Sequence, residues 1–106
     1  MNIVNCTPHT INILREDGTE VLAVTPSGNI ARLDVSRKPI RTLDNGVILY
    51  KSVFGSPSGL PDRADNTIYI VSSLFRSGFD REDLWVPGEL VRDEEGRPIG
   101  CLGLSR

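Results

Sequence analysis

Three glycine-tipped turns, Asp17-Gly18, Asn45-Gly46 and Glu95-Gly96, each separate two runs in which apolar and polar residues alternate. Alternation at period two puts one face of an extended chain in a core and the other in water. A short turn rich in Gly, Asn or Asp then folds two such runs back on each other. "TINIL" and "EVLAV" around Asp17-Gly18 therefore read as a hairpin over residues 10–25. "IRTL" and "VILYKSVF" flank Asn45-Gly46 in the clearest hairpin of the chain, and the Asn-Gly pair suits a type I′ turn, whose two central residues need positive φ. "ELVRDEEGRPIGCLGL" closes the chain as a further hairpin, turning at Glu95-Gly96. "IARLDV" alternates as well, and "SRKP" after it is expected to break the pattern.

Between the hairpins the signals change. "GSPSGLPDRADN", residues 55–66, has Pro57, Pro61, two glycines and no periodicity, which predicts a long loop of the kind that usually serves a function. "TIYIVSSLF", residues 67–75, is the most apolar stretch and begins β-branched, as a central buried strand does. "SLFRSGF" predicts one short helix, with Ser72 or Ser73 as its N-cap and Gly78 as its stop. "DREDLWVPG" reads as an irregular connection carrying the only tryptophan, Trp85. The expected fold is mainly β: a small antiparallel barrel or sandwich of hairpins with one short helix near residues 72–78, in a single domain spanning residues 1–106.

Charge and cysteine usage narrow the function classes. Twelve basic and 14 acidic residues are interspersed, giving a net charge of −2 and no basic block, which argues against a duplex nucleic acid as partner. No apolar run approaches the ~20 residues of a helical membrane span, so no membrane partner is expected, and the polar start "MNIVNCTPHT" does not read as a signal peptide. Cys6 and Cys101 belong to no CxxC pair or Cys/His cluster of zinc spacing. They are expected as free thiols acting as small buried hydrophobes, with no metal and no cofactor.

Polar side chains that can meet a ligand fall in three stretches. In "NCTPHT" a nucleophile–base pair of Cys6 and His9 would need the two side chains to converge. Three positions apart in a proline-containing segment, they have no reason to do so. The structural alternative is a buried Cys6 with His9 hydrogen-bonding a neighbouring loop, and the functional one presents Thr7 and His9 to a ligand. In "TPSGNIAR", Ser27-Gly28-Asn29 is either a plain β-turn or a backbone nest for an anion, with Arg32 beside it to supply charge. In "SSLFRSGFDRED", Ser72, Ser73, Arg76 and Arg81 interleave with aromatic residues, and Tyr50, Tyr69 or Trp85 would offer a stacking face; the same set also describes core aromatics beside solvated charges. The adjacent acids of "DREDL" and "RDEEGR" read as solvated turns rather than a carboxylate pair facing across a cleft. "GLP", Gly59 to Pro61, is either a lid over a pocket or a docking element.

The chain resembles a group of small proteins of phages and bacteria, seen notably in actinobacterial genomes. The likeness is carried by Asn5, Thr7, Pro8 and His9; by Pro26, Ser27, Gly28, Ala31 and Arg32; by Gly59, Leu60 and Pro61; by Thr67, Tyr69, Ile70, Val71 and Ser72; and by Val91 to Gly100. It implies a phage context and the cytoplasm of a bacterial host. By analogy of size and context it points to a counter-defence factor. The leading expectation is a non-enzymatic binder of a small anionic ligand such as a cyclic nucleotide, a sponge for a nucleotide immune signal, working as a homo-oligomer. Its candidate ligand-binding residues are Thr7, His9, Ser27, Arg32, Tyr69, Ser72, Arg76 and Trp85. A protein–protein interaction module, either an inhibitor of a host protein or a small phage assembly component, is the second expectation. A small hydrolase or cyclase with His9 as base is the third.

Overall fold

A computed structural model describes residues 1–106. The elements are β1 (Asn2–Asn5), β2 (Ile11–Leu14), β3 (Glu20–Val24), β4 (Arg32–Thr42), β5 (Ile48–Ser58), β6 (Thr67–Ile70), α1 (Ser73–Gly78), β7 (Leu84–Arg92) and β8 (Pro98–Ser105). Six strands form one sheet in the order β1-β6-β7-β8-β2-β3, and β4 and β5 pair only with each other. A parallel bridge from Asn5 to Pro26, just beyond β3, brings the two sheet edges together. The sheet thereby curls into a nearly closed barrel, and the chain is mainly β with one short helix, as the alternation predicts.

Strand directions within the barrel are mixed. The hairpins β2–β3 and β7–β8 are antiparallel, whereas β1–β6, β6–β7 and β2–β8 pair in parallel. β6 has parallel neighbours on both sides, reached on one side through the α1 crossover, and parallel strands covered on both faces are near-continuously apolar. That accounts for "TIYIV".

All three hairpin turns use one conformation. Gly18, Gly46 and Gly96 donate to the carbonyls of Arg15, Leu43 and Asp93 at 2.9, 2.9 and 3.0 Å, and each glycine has φ between +81° and +90°. This is a type I turn followed by a left-handed glycine, a three-residue loop. Asn45 is not left-handed, so the type I′ expectation at Asn45-Gly46 does not hold; its Oδ1 instead accepts from the Val47 N–H at 3.0 Å.

Three boundaries differ from the sequence reading, each for the same reason. β4 runs straight through "SRKP", β5 continues to Ser58 so that the loop spans only residues 59–66, and Trp85 lies in β7 rather than in an irregular connection. Proline stopped each reading, yet Pro39 pairs with Tyr50, Pro57 with Leu33, and Pro87 with Leu104. Proline is tolerated in edge strands and at bulges, where its missing N–H needs no ladder partner. In a two-stranded ribbon such as β4–β5 both strands are edges, and its register shifts lie beside Pro39 and Leu33.

Cys6, Tyr69, Val71, Phe75, Leu84 and Val86 form the buried core, joined by the partly buried Val4, Ala31, Leu33, Leu60 and Phe79. α1 lays Phe75 into this core, where its ring meets Phe79 edge-on at 5.8 Å between centroids. Ser72 caps the helix, its Oγ accepting from the Phe75 N–H at 3.1 Å. Gly78 is the helix stop expected of it, though its φ is not left-handed. The helix ends into an extended Phe79 (φ −149°), and Gly78 is required by close packing: a Cβ there would lie 2.3 Å from Leu33 Cδ2 and 2.6 Å from Phe54 Cδ1. The root of the β4–β5 ribbon rests on that bare backbone, and the ribbon projects beyond it.

Candidate functional site

The stretch Asn5–His9 is a knot that closes the barrel. Asn5 is 1% exposed and uses its whole amide. Nδ2 donates to the His9 carbonyl at 2.7 Å and to the Val24 carbonyl at 2.9 Å. Oδ1 accepts from the Thr7 N–H at 2.9 Å and from Thr7 Oγ1 at 2.7 Å. An Asx side chain holding its own backbone two residues on is a turn device. Here it also ties β1 to the end of β3, reinforced by the Ser27 N–H donating to the Asn5 carbonyl at 2.9 Å.

The same knot settles the geometry of Cys6 and His9. The Cys6 thiol is buried, with the Ser27 side chain beside it. The His9 imidazole is exposed and makes no hydrogen bond within the chain, and the His9 carbonyl accepts only from Asn5 and Thr7 of its own segment, so the expected bond from His9 to a neighbouring loop does not form. Burial pushes the Cys6 thiol above its ordinary value of 9.0, and the Ser27 hydrogen bond and the Arg81 charge offset this only in part. A thiol held protonated is a poor nucleophile. At pH 8, iodoacetamide is expected to leave Cys6 unmodified in the folded protein and to alkylate it once urea unfolds the chain, as mass spectrometry will show; rapid native alkylation would contradict this. Because the folded-state pKa is the higher one, this group favours the fold below about pH 9 and that contribution is lost as pH rises further.

Above the knot lies a cavity of about 450 Å³ lined by Thr7, Pro8, His9, Ile11, Ser72, Ser73 and Pro87. It brings together Thr7, His9 and Ser72 of the eight expected site residues. Thr7 Oγ1 is committed to Asn5 and His9, and Ser72 Oγ to the helix cap. The groups left for a ligand are the His9 imidazole and the Ser73 hydroxyl. Sequence reasoning placed Ser73 beside Ser72 at the emerging strand without choosing it as a site residue.

The other five lie elsewhere. Ser27 lines a second cavity, of about 410 Å³, along the seam between β1 and β3, and its hydroxyl accepts from the Asn29 N–H at 3.3 Å in a local turn. Arg32 is exposed at the start of β4. Tyr69 is a core residue, 4% exposed, whose hydroxyl donates to the Asp62 carbonyl at 2.9 Å, so it offers no stacking face. Arg76 pairs with Asp80, Nε to Oδ1 at 3.4 Å, without forming an aligned hydrogen bond. Trp85 is half-buried in β7 with the Arg106 guanidinium 5.9 Å above its ring.

Most arginines outside the β4–β5 ribbon are spent on internal structure. Arg81 grips Asp83 through two nitrogens at 2.6 and 3.1 Å, donates to the Pro61 carbonyl at 3.0 Å and lies 5.6 Å from the Tyr69 ring centre. Arg106 donates to the carbonyls of Arg81 and Leu84 at 2.9 and 2.7 Å, and Arg92 to that of Gly96 at 2.8 Å. The "GLP" loop is anchored, with Leu60 against the core, Pro61 held by Arg81 and Asp62 held by Tyr69. It is not free to act as a lid. No family model, curated protein or solved structure matches this chain.

Proposed function

We propose that the chain is a non-enzymatic binding protein for a small anionic ligand of the cyclic-nucleotide class, working as a homo-oligomer in the manner of a phage counter-defence sponge. The observation that supports this reading is the cavity above the barrel knot. At about 450 Å³ it falls in the range that holds small-molecule ligands, ~300–1,000 Å³. Apolar walls of Pro8, Ile11 and Pro87 face one imidazole and one hydroxyl that have no other partner, an arrangement suited to a ligand with a flat apolar part and a polar edge.

Native mass spectrometry of the protein with a panel of cyclic mononucleotides, cyclic dinucleotides and cyclic ADP-ribose tests it. The expected result is one intact ligand retained per cavity. His9→Ala and Ser73→Ala should each weaken calorimetric binding by ~10-fold or more, since a hydrogen bond to a charged group contributes ~1.5–3 kcal/mol. A bare protein across the panel, or affinity indifferent to both substitutions, overturns the reading. A protein-docking module is the second reading, and the projecting β4–β5 ribbon favours it.

A further inference from the structure

The β4–β5 ribbon lacks what an isolated hairpin needs. Two strands alone are marginally stable in water unless a third strand or a packed face supports them, and this ribbon meets the body only at its root, where Leu33 and Phe54 lie on Gly78. Of the 14 large hydrophobic residues the chain exposes, eight lie between residues 35 and 54. Opposed residues share a face. One face of the ribbon presents the pairs Val35–Phe54, Pro39–Tyr50 and Thr42–Ile48, with the Arg37 guanidinium 4.6 Å over the Tyr50 ring. It continues outward from the surface that packs on Gly78, with nothing beyond the root covering it.

Area and charge identify what covers it. The chain exposes 7284 Å², whereas a compact chain of 11.7 kDa exposes about 5,900 Å². The excess, about 1,400 Å², is more than the ~800 Å² each partner contributes to a standard interface. The radius of gyration is likewise 17.0 Å against ~13 Å for a compact domain of this length.

The ribbon carries five basic residues, Arg32, Arg37, Lys38, Arg41 and Lys51, against Asp34 and Asp44, a net +3. The remaining seven basic and 12 acidic residues give the rest of the chain −5. Arg37 stands on the apolar face, opposite Ser52, whereas Lys38 and Lys51 face each other on the other side of the ribbon. On the body, Leu90 and Ile99 of the β7–β8 hairpin are 51% and 44% exposed and line an apolar groove, with Glu89 and the acidic turn Asp93–Glu95 nearby.

We infer that the β4–β5 ribbon is an assembly arm. In a two-fold dimer each arm lies across the β7–β8 surface of a second copy, apolar face to apolar groove and Arg37 to the acidic turn. The inference rests on the homo-oligomer reading and is independent of any ligand's identity.

Sedimentation velocity of the full chain tests it. The wild type is expected to sediment at twice the chain mass at micromolar concentration. Raising salt from 0.05 to 0.5 M should weaken the dimer ~10-fold, as screened charges require. Ile48→Glu with Tyr50→Glu should raise the dissociation constant ~100-fold or more by burying charge in the interface, while far-UV circular dichroism and the emission of Trp85 in the barrel stay unchanged. If that variant loses the barrel signals, Arg37→Glu, at an exposed position of the same face, decides by an expected ~10-fold loss of the dimer. A wild type that stays monomeric overturns both the arm and the oligomer. A dimer that survives the folded arm variants overturns the arm alone.

Discussion

Asn5→Asp is expected to unfold the protein at modest temperature. The substitution replaces Nδ2, which donates to the His9 and Val24 carbonyls at 2.7 and 2.9 Å, with an oxygen that repels both. The site is closed to water, so an ionised carboxylate there is buried against two carbonyl oxygens, and a protonated one has a single hydrogen for two acceptors. Two lost bonds and the stranded acceptors should cost about 4 kcal/mol. That is a large part of the ~5–15 kcal/mol that holds a domain together, and it should lower Tm by ~20 °C. Asn5→Ala should cost less, because it leaves groups unpaired without adding repulsion. Thermal melts of both variants at pH 7 and pH 4 check this: the Asp variant should recover partly at pH 4, where protonation restores one donor. An Asp variant as stable as the wild type would mean the barrel seam does not depend on this side chain.

Arg81→Met should be nearly as damaging, through the charge it leaves behind. Asp83 is 9% exposed and both its oxygens are held by Arg81. Removing one member of a buried pair typically costs ~3–5 kcal/mol; with the Arg81 side chain 20% exposed, about 3 kcal/mol is expected in urea unfolding. The same change frees the Pro61 carbonyl and so releases the loop that carries Arg63. Trypsin should then cut after Arg63 faster than in the wild type. Adding Asp83→Leu should restore about half of the lost stability, because the penalty lies in the unpaired carboxylate and not in the absent pair. No recovery in the double variant, with the cleavage rate unchanged, would show that Arg81 does not hold this loop.

Both predictions concern residues whose role was only partly legible in the chain. Arg81 stood among aromatic residues in a stretch that reads equally as a ligand platform or as core with charges beside it. The structure resolves the choice because Asp83, Pro61 and Tyr69 converge on one guanidinium. Thr7 and His9 were legible as a pair, and they share a cavity with Ser72. Asn5, which organises them, entered only as part of the family likeness and with no role attached: one amide polar group looks like another until its four partners are known. The arginines of the expected binding set do not converge for a related reason. Asp80 competes locally for Arg76, while Arg32 stands exposed at the start of β4, on the separate ribbon.

What the sequence determined by itself is local. Period-two alternation and a glycine three residues into each tight loop suffice for three hairpins, because strand faces and left-handed turns are decided by a few neighbouring residues. A Ser before an apolar turn suffices for the short helix and its cap. Tertiary structure alone decided which edges meet. The parallel pairings of β1, β6 and β7, the closure of the barrel through Asn5 and the placing of Leu33 and Phe54 on Gly78 all join residues far apart in the chain. So does the isolation of β4–β5, whose alternation matches that of strands inside the barrel although it packs on nothing beyond its root. Alternation states that a face is apolar, and it carries no information on whether this chain or another covers it.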